Sequence, residues 1–411
     1  MTDLGIFELP LNETRDIIKS FQLEMGRGLA LKKSSLKMIP TYVTPPTGAE
    51  KGTFIALDLG GTNFRILELV LMGSGKTGAS SNTMKFVIPK AHLTGSAESF
   101  FDFIAACLKK FLKKYQLESG EDLNLGFTFS FPVKQTGINS GRLVCWTKGF
   151  NVRGVVGNDV VSLFKKALQR KGVDNVKISA LANDTVGTLA AKCYENPDCD
   201  IGVILGTGTN ACYPEEASGG MIINTEWGNF NKLKSTSYDR ELDKKSDRPG
   251  QQILEKMVSG MYLGRIAGLV IEDDLGLNVE FKTEYMSAIE ADKTAGLSKT
   301  ASVLKKAGIA KSTPEERRRI KEICQSVSRR GARISASCIA AIIKKMDRRL
   351  SRKHVVAIDG SVYEKHPTFA KNMRSCLDGI FGSKSALVRM VLAKDGSGKG
   401  AAVIAAVAAS R

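Results

Sequence analysis

The sequence contains few histidines, no closely paired cysteines and no long apolar segment. Its three histidines, at positions 92, 354 and 366, are scattered, whereas a structural zinc ion needs clustered ligands. Its eight cysteines include no Cys-x-x-Cys pair, which favours free thiols in a reducing compartment. No window resembles a signal peptide or an apolar span of about 18 residues, so the expected location is the cytoplasm.

Acidic residues are also in the minority, since 42 Asp and Glu face 60 Lys and Arg, for a formal net charge of +18. Much of the basic excess lies in residues 317–333 and 344–353, both within helical patterns. Such a basic face could bind nucleic acid, an anionic membrane surface or acidic proteins. No aromatic-rich RNA-binding motif or zinc finger accompanies it. We therefore interpret the charge as a solvated surface and expect no nucleic-acid partner.

Two glycine-tipped hairpin patterns are the most informative features that are present. Residues 54–70 read FIALDLGGTNFRILELV and residues 202–213 read GVILGTGTNACY. Each pattern has an apolar strand, a glycine-rich tip that carries Gly-Thr-Asn, and a second strand. Glycine lets backbone N–H groups approach an anion such as a phosphate closely. The pair therefore predicts two halves that face each other across a nucleotide.

An acidic residue lies between the two hairpins, in Asn183-Asp184-Thr185 after the apolar run 178–182. The pattern predicts that Asp184 stands at the start of a helix, where the helix dipole and capping favour an ionised carboxylate. On its own it would be interpreted as a simple N-cap. The flanking phosphate hairpins favour a catalytic carboxylate instead.

In the first part of the chain, the patterns predict three antiparallel strands near residues 54–59, 62–72 and 83–88. A helix near 98–115, a strand near 123–131 and a crossover helix near 159–170 follow. That order resembles the ribonuclease-H-like half of the actin-type ATPases, and the second glycine hairpin would begin the second half. Further on, the patterns predict helices at 250–271 and 313–345, strands at 354–362 and 387–393, and a final helix at 401–409 after a glycine loop. For the helix at 313–345, the expected N-cap is Thr313, Pro314 lies in the first turn, and a glutamate closes a capping box. Residues 272–312 show no readable pattern.

The chain resembles the eukaryotic-type hexokinases across essentially its full length. The matching segments are SSLKMIPTYV (34–43), LDLGGTNFR (57–65), LGFTFSFPVKQ (125–135), WTKGF (146–150), ALANDTVGTL (180–189), LGTGTNACY (205–213), NTEWG (224–228), RPGQQILEKMVSGMYLG (248–264), DGSVY (359–363) and KDGSGKGAAV (394–403). The chain departs from the family at 73–82 and 272–312, which leaves the adenine contacts there open.

The resemblance implies an α/β fold of the actin-like ATPase class, a duplicated ribonuclease-H-like architecture with two domains around a cleft. The expected small domain is residues 52–182, to which the C-terminal helix 399–411 returns. The expected large domain comprises residues 1–51 and 183–398. Because each motif occurs once, we expect a single catalytic unit.

The resemblance also implies transfer of the ATP γ-phosphoryl group to the 6-hydroxyl of glucose and related hexoses, the first step of glycolysis, with Mg²⁺. Asp184 matches the family's catalytic base, and Lys148 could face the transferring phosphoryl group. A sugar presents a ring of hydroxyls, so its site should be a cluster of polar side chains. By family match, the substrate-binding residues are Ser130, Thr147, Lys148, Asn183, Asp184, Asn210, Glu226 and Glu255.

The nucleotide side follows from the same resemblance. Asp58 matches the acid that holds Mg²⁺ through water, since Mg²⁺ keeps much of its hydration shell. The expected first phosphate loop is Gly60, Gly61, Thr62 and Asn63, with Arg65 near it, and the second is Gly206, Thr207 and Gly208. The expected adenosine-side loops are Gly360, Ser361, Gly396, Ser397 and Gly398.

Other interpretations of the sequence stay open at this point. One is a different sugar kinase of the same ATPase class, and another is a catalytically weak hexose-sensing or scaffold protein of the same fold. Loss of chemistry should damage the base, a phosphate loop or the sugar site, and no such damage is visible. An actin- or chaperone-like ATPase would have no reason to carry the sugar residues.

The interpretation of the basic helices as a solvated surface can be tested by reversing Arg317, Arg318 and Arg319 to glutamate. This cluster lies outside every motif, so we expect kinase activity to survive. Neither RNA nor anionic vesicles should bind the natural chain tightly near 0.15 M salt, where the Debye length is about 8 Å. Submicromolar binding in a vesicle or RNA binding assay, abolished by the triple change, would instead reveal a partner surface.

Overall fold

The computed structural model describes residues 2–61, 63–78, 82–118, 122–147 and 149–410. Its α-helices in those ranges are α1 (Leu11–Leu29), α2 (Lys90–Leu93), α3 (Ala97–Lys114), α4 (Val160–Arg170), α5 (Asp184–Glu195), α6 (Ser237–Lys244), α7 (Ile253–Val258), α8 (Leu263–Leu275), α9 (Thr283–Ala291), α10 (Ser298–Lys306), α11 (Pro314–Met346), α12 (Ser361–Lys365), α13 (Phe369–Phe381) and α14 (Gly396–Ala409). Its strands are β1 (Ile39–Pro40), β2 (Lys51–Leu59), β3 (Asn63–Gly73), β4 (Lys76–Thr77), β5 (Thr83–Val87), β6 (Leu123–Phe129), β7 (Val133–Gly137), β8 (Ser140–Leu143), β9 (Val176–Ala182), β10 (Cys199–Leu205), β11 (Thr209–Glu215), β12 (Met221–Asn224), β13 (His354–Asp359) and β14 (Val388–Leu392).

The first large sheet contains the N-terminal glycine hairpin. Its strand order is β4-β3-β2-β6-β9, and β5 also pairs with β3. Strands β2 and β3 are antiparallel, with Asp58 directly opposite Arg65, whereas β2, β6 and β9 run parallel. The predicted meander, the strand that follows it and the helices corresponding to α3 and α4 are confirmed.

The second large sheet repeats this plan, with strand order β1-β12-β11-β10-β13-β14. Here β10 and β11 form the antiparallel glycine hairpin, and β10, β13 and β14 run parallel. Both sheets thus combine a glycine hairpin with two further parallel strands. The predicted duplicated α/β architecture is confirmed at this level.

Helix α11 is the centre of the largest apolar core. It begins as predicted: Thr313 is the N-cap, Pro314 is the first helical residue, and Glu316 completes a capping box by accepting from the Thr313 N–H. Ala336, Ala340 and Ala341 are fully buried in its second half. Such small side chains let neighbouring elements approach the helix closely.

The unreadable region 272–312 contains α9 and α10, two short helices joined around one carboxylate. Asp292 accepts hydrogen bonds from the backbone N–H and hydroxyl of both Thr294 and Thr300. Burial raises the pKa of Asp292, but these hydrogen bonds outweigh it and hold the pKa well below its ordinary value. The hydrogen bonds between Asp292 and the two threonines are contacts that a pattern of apolar residues does not reveal.

The single helix predicted over 250–271 is wrong, because the structure has α7 and α8 with a break between them. At the break, the N–H of Gly260 donates to the carbonyl of Gly206 at 2.8 Å. The N–H of Met261 donates to the carbonyl of Thr207 at 3.2 Å. These donors bind the second glycine loop instead of continuing the helix.

The final helix begins earlier than predicted, at Gly396 rather than 401, so the expected glycine loop is the first turn of α14. α14 packs against α5 and across the first sheet. A Cβ at Gly400 would lie 1.8 Å from the carbonyl oxygen of Gly187, and one at Gly126 would lie 1.9 Å from that of Ala401. Only glycine permits backbones to approach so closely. The exact domain boundaries stay a prediction.

The arginines at the start of α11 differ in their exposure and in their ion pairs. Arg318 is 62% exposed and pairs with Glu315, whereas Arg319 is 18% exposed and pairs with Asp274 at 2.6 Å. Reversal of Arg319 would therefore break a half-buried ion pair. Changing only Arg317 and Arg318 tests the surface charge more cleanly. Within the described ranges, no helix combines the length and the apolar character needed to cross a membrane.

The close packing of α14 on α5 predicts opposite effects of the same substitution in two helices. Gly400→Ala should destabilise the chain by roughly 1–3 kcal/mol, because the added methyl group overlaps backbone atoms of α5. Gly26→Ala in α1 is the matched control, since its Cβ would meet no atom of the described residues within 4 Å. That change should be neutral or stabilise the chain by up to about 1 kcal/mol through helix propensity. Urea unfolding of both variants measures the difference, and equal effects would contradict this packing.

Candidate active site

The site lies where strands of the two large sheets end near the N-termini of α5 and α14. Asp58 is near the end of β2, and α5 begins with Asp184 directly after β9. From the second sheet come the loop 206–208 after β10 and Asp359 at the end of β13. The first turns of α5 and α14 touch, since a Cβ at Gly187 would lie 2.7 Å from the carbonyl oxygen of Ser397.

A network of hydrogen bonds joins the predicted metal-side acid Asp58 to α14. Arg65 Nε donates to Asp58 Oδ2 at 3.1 Å, and Ser397 Oγ donates to the same oxygen at 2.9 Å. Arg65 Nη1 also pairs with Asp395 at 2.5 Å. This hydrogen bond from Arg65 holds the pKa of Asp395 below its ordinary value. The network therefore connects the first glycine hairpin with the residues that lead into α14.

Residues 396–398 were expected to form an adenosine-side loop, but they are helical. Ser397 lies beside Asp58, and its carbonyl accepts from Thr128 Oγ1 at 3.3 Å. Gly398 lies against Arg65, because a Cβ there would be 2.9 Å from the guanidinium nitrogens. These contacts are on the side of the predicted metal and phosphates. An adenosine role for this turn stays a prediction.

The predicted catalytic base stands at the first position of α5. The N-cap is Asn183, whose side chain accepts from the Thr185 N–H at 2.9 Å. Asp184 Oδ1 accepts from the same N–H at 2.8 Å and from the Thr185 hydroxyl at 3.2 Å. The capping role thus belongs to Asn183. Asp184 is half-buried at the positive end of the helix dipole, which favours its ionised form.

Three of the predicted sugar residues lie around the start of β11. Asn210 Nδ2 donates to Glu226 Oε1 at 3.2 Å, so these two side chains are in direct contact. Glu255, on α7, accepts from the N–H of Thr209 at 3.0 Å. Buried Trp227 donates its indole N–H to Thr209 Oγ1 at 2.8 Å and so secures this wall. The structure thus brings Asn210, Glu226 and Glu255 together.

The remaining described sugar residues, Ser130 and Thr147, belong to the side of the first sheet. Ser130 is buried just after β6, and its N–H donates to the carbonyl of Leu59 at 3.1 Å. The segment that carries Thr147 reaches the opposite side, because Arg248 Nη2 lies 3.8 Å from the Cys145 sulfur. Predicted residues Thr62 and Lys148 lie outside the described residues.

The glycine loops differ in how closely the surrounding chain approaches them. A Cβ at Gly60 or Gly61 would meet no atom of the described residues within 4 Å. Gly360 has φ of 123°, and a Cβ there would lie 2.3 Å from the carbonyl oxygen of Leu205. The predicted adenosine-side loop at Gly360 therefore touches the loop 206–208. Asn63, which follows the first loop, begins β3 and is exposed.

Sequence reasoning missed Asp359, Asp395 and Asn224 as site residues. Burial, and then the negative charges of Asp395 and Asp184, raise the pKa of Asp359 to about 6. Asn224 Nδ2 donates to Glu226 Oε1 at 2.8 Å. All three residues lie in segments that matched the family. The feature that could have identified them in the sequence is an acid or amide that ends or follows an apolar strand.

The carboxylates here fit a divalent cation that keeps part of its water shell. Asp359 is half-buried close to other carboxylates, and its burial, with the negative charges of Asp395 and Asp184, raises its pKa. Over the described part of the chain, however, no three acidic, histidine or cysteine side chains converge as a complete metal cage. Mg²⁺ is commonly held by one or two carboxylates together with substrate phosphates and waters. Asp58 fits such a role.

Comparison with known proteins gives a consistent result. Two family models described as hexokinase match residues 4–194 and 200–407. The chain is 41% identical to hexokinase-2 of Oryza sativa subsp. japonica and to hexokinase-1 of Arabidopsis thaliana, covering 97% of this chain and 88% of each relative. A structure of Schistosoma mansoni hexokinase complexed with glucose is 36% identical, with a TM-score of 0.85 over 98% of this chain and 97% of that one.

The raised pKa of Asp359 predicts a pH-dependent stabilisation by Asp359→Asn. A folded-state pKa near 6, above the ordinary value of about 3.9, means that Asp359 favours folding most below about pH 4. This contribution is lost as the pH rises through 6. Without nucleotide or Mg²⁺, the variant should therefore melt higher than the natural chain at pH 7.5, by on the order of 2 °C.

That difference in melting temperature should shrink as the pH falls toward 4.5, as measured by calorimetry. Asp198→Asn, at an exposed acid beyond the far end of α5, controls for the loss of one negative charge. A shift of equal size at both pH values would contradict the role assigned to Asp359.

Proposed function

The chain belongs to the hexokinase family, and we propose that it transfers the γ-phosphoryl group of ATP to the 6-hydroxyl of glucose and related hexoses. One observation carries this proposal beyond family membership. The site combines two glycine-tipped hairpins, a carboxylate at a helix N-terminus and a wall of amides and carboxylates suited to hydroxyl groups.

Phosphoryl transfer needs alignment, charge neutralisation and a group that takes the hydroxyl proton. We assign the last role to Asp184, whose position on α5 favours the ionised form that accepts a proton. Thr185 fixes the orientation of its carboxylate through two hydrogen bonds. By family match, we also assign Lys148 a role at the transferring phosphoryl group.

Mg²⁺, when bound with ATP, neutralises phosphate charge, and Asp58 would hold it through water. Arg65 keeps Asp58 in place through their hydrogen bond. The backbone N–H groups of the two glycine loops receive the phosphates. We assign the nucleotide site to Gly60, Gly61, Thr62, Asn63, Arg65, Gly206, Thr207, Gly208, Gly360, Ser361, Gly396, Ser397 and Gly398.

The sugar site takes its residues from both sides of the cleft. We assign it to Ser130, Thr147, Lys148, Asn183, Asp184, Asn210, Glu226 and Glu255. The proposed small domain is residues 52–182 with the returning helix 399–411, and the large domain is residues 1–51 and 183–398. The packing of α14 on the first sheet supports this division. We propose a cytoplasmic location, a reducing compartment in which the eight cysteines would remain free thiols.

A hexose-sensing or scaffold protein without turnover is the less favoured alternative. Such a protein would be expected to have lost the base, a glycine loop or the sugar wall. The chain keeps Asp184, both loops and the contact between Asn210 and Glu226. Formation of hexose 6-phosphate in a coupled assay with ATP, Mg²⁺ and a panel of hexoses distinguishes the two and defines the hexose range.

The assignment of Asp184 predicts that Asp184→Ala lowers kcat at least about 10²-fold, the lower bound usual for a general base. Glucose should still bind, more weakly, and α5 should persist because Asn183 remains its N-cap. Asp198→Ala is the matched control, an exposed acid beyond the other end of the same helix. Near-normal turnover of Asp184→Ala in the coupled assay would be incompatible with its role as base.

A further inference from the structure

Asn224, Asn210 and Glu226 form a closed triangle of hydrogen bonds at the sugar wall. Asn224 is the last residue of β12 and is 6% exposed, and Asn210 on the neighbouring strand β11 is 9% exposed. Asn210 Nδ2 donates to Asn224 Oδ1 at 2.7 Å and to Glu226 Oε1 at 3.2 Å. Asn224 Nδ2 donates to Glu226 Oε1 at 2.8 Å.

These contacts determine which polar atoms remain for a ligand. An amide nitrogen has two N–H donors, so both donors of Asn210 are used within the protein. The Oδ1 atom of Asn210 accepts from the N–H of Ala211 at 2.8 Å. Glu226 Oε1 accepts two N–H groups, while no hydrogen bond from the described residues reaches Glu226 Oε2. This second oxygen is therefore the acceptor that Glu226 presents to a sugar hydroxyl.

The backbone of Glu226 gives a second reason for a supporting side chain. Glu226 has φ of 51°, in the left-handed region that residues with a Cβ rarely adopt. Its N–H lies 3.4 Å from Asn224 Oδ1, so Asn224 contacts both the backbone and the carboxylate of this residue. Strained residues at functional sites persist only where their surroundings hold them.

We propose that Asn224 is a positioning residue of the hexose site, which acts through Glu226. This inference rests on the proposed hexokinase function. Asparagine is suited to the position because one side chain supplies an acceptor for Asn210 and a donor for Glu226. Aspartate would place a second acceptor against the Glu226 carboxylate, and alanine would remove both contacts.

The proposal has a specific consequence for substrate recognition. Because Asn224 acts through Glu226, it should affect the binding of the one hydroxyl that Glu226 accepts and leave the other hydroxyls nearly unaffected. A purely structural residue would weaken the binding of every sugar alike. Deoxy derivatives of glucose, each lacking one hydroxyl, therefore separate the two roles.

The experiment measures binding of glucose and its monodeoxy derivatives by titration calorimetry, without ATP, to the natural chain, Asn224→Ala, Asn224→Asp and Glu226→Ala. We expect Asn224→Ala to weaken glucose binding by about 10-fold, the scale expected for a buried polar group that loses its partner. Asn224→Asp should weaken it further at pH 8. For the one derivative that lacks the hydroxyl bound by Glu226, the effects of Asn224→Ala and Glu226→Ala should both disappear.

Thr225→Val is the matched control. Thr225 is fully buried beside Asn224, and its hydroxyl donates to the carbonyl of Ala211 at 2.7 Å, away from the Glu226 carboxylate. We expect this change to lower the unfolding temperature and to preserve discrimination among the deoxy sugars. If Asn224→Ala does not fold, Asn224→Asp carries the comparison, because it keeps the side-chain volume.

The outcomes distinguish this inference from the proposed function. Equal weakening for every deoxy sugar by Asn224→Ala, or the same pattern from Thr225→Val, would overturn the positioning role. Normal glucose binding by both Asn224 variants would also overturn it. In contrast, a natural chain that binds no hexose, or Glu226→Ala that binds glucose normally, would contradict the assignment of the sugar site itself.

Discussion

Backbone contact between α5 and α14 is the constraint on which the arrangement of the site depends. The helices meet at Gly187 and Gly400, where one methyl group would lie 1.8 Å from a carbonyl oxygen. Because their first turns are adjacent, this contact fixes the positions of the two helix N-termini relative to each other. One N-terminus presents Asp184, and the other presents Ser397, which binds Asp58. Both helix dipoles direct their positive ends to the place where an anionic nucleotide is proposed to bind.

The carboxylates at the site are arranged around the guanidinium of Arg65. Arg65 contacts Asp58 and Asp395, while Asp359 has a raised pKa because it is buried and faces further negative charge. The carboxylates outnumber this one guanidinium, and a divalent cation bound beside them would offset part of their negative charge. The same carboxylates would repel one another without that charge. The carboxylates proposed to take part in binding the cation therefore also lower the stability of the folded chain when no cation is bound.

Hydrogen bonds within the protein hold the side chains of the sugar wall. Asn224 and Asn210 hold one oxygen of Glu226, and the N–H of Thr209 holds Glu255. Glu226 and Gln252, which precede the turn at Trp227 and helix α7, both have left-handed backbones. This geometry places strain next to the predicted sugar residues. A wall with fixed acceptors loses less entropy on binding than a flexible one.

The sequence by itself determined the two glycine hairpins, the acid between them and the family resemblance, because glycine tips and apolar strand runs are local patterns. It also predicted the capping of α11, which depends on four consecutive residues. Only the tertiary structure decided where the helix predicted over 250–271 breaks. The backbone N–H groups of Gly260 and Met261 bind a loop about 50 residues earlier in the chain.

The tertiary structure likewise decided that residues 396–400 are helical, since their glycines serve contacts with α5 and Arg65 and do not form a loop. The roles found for Asp359, Asp395 and Asn224 depend on partners distant in sequence or on the opposite strand of a hairpin. A local pattern shows which residue types are present. It does not show which charges and hydrogen-bond partners the folded chain brings within a few ångströms of them.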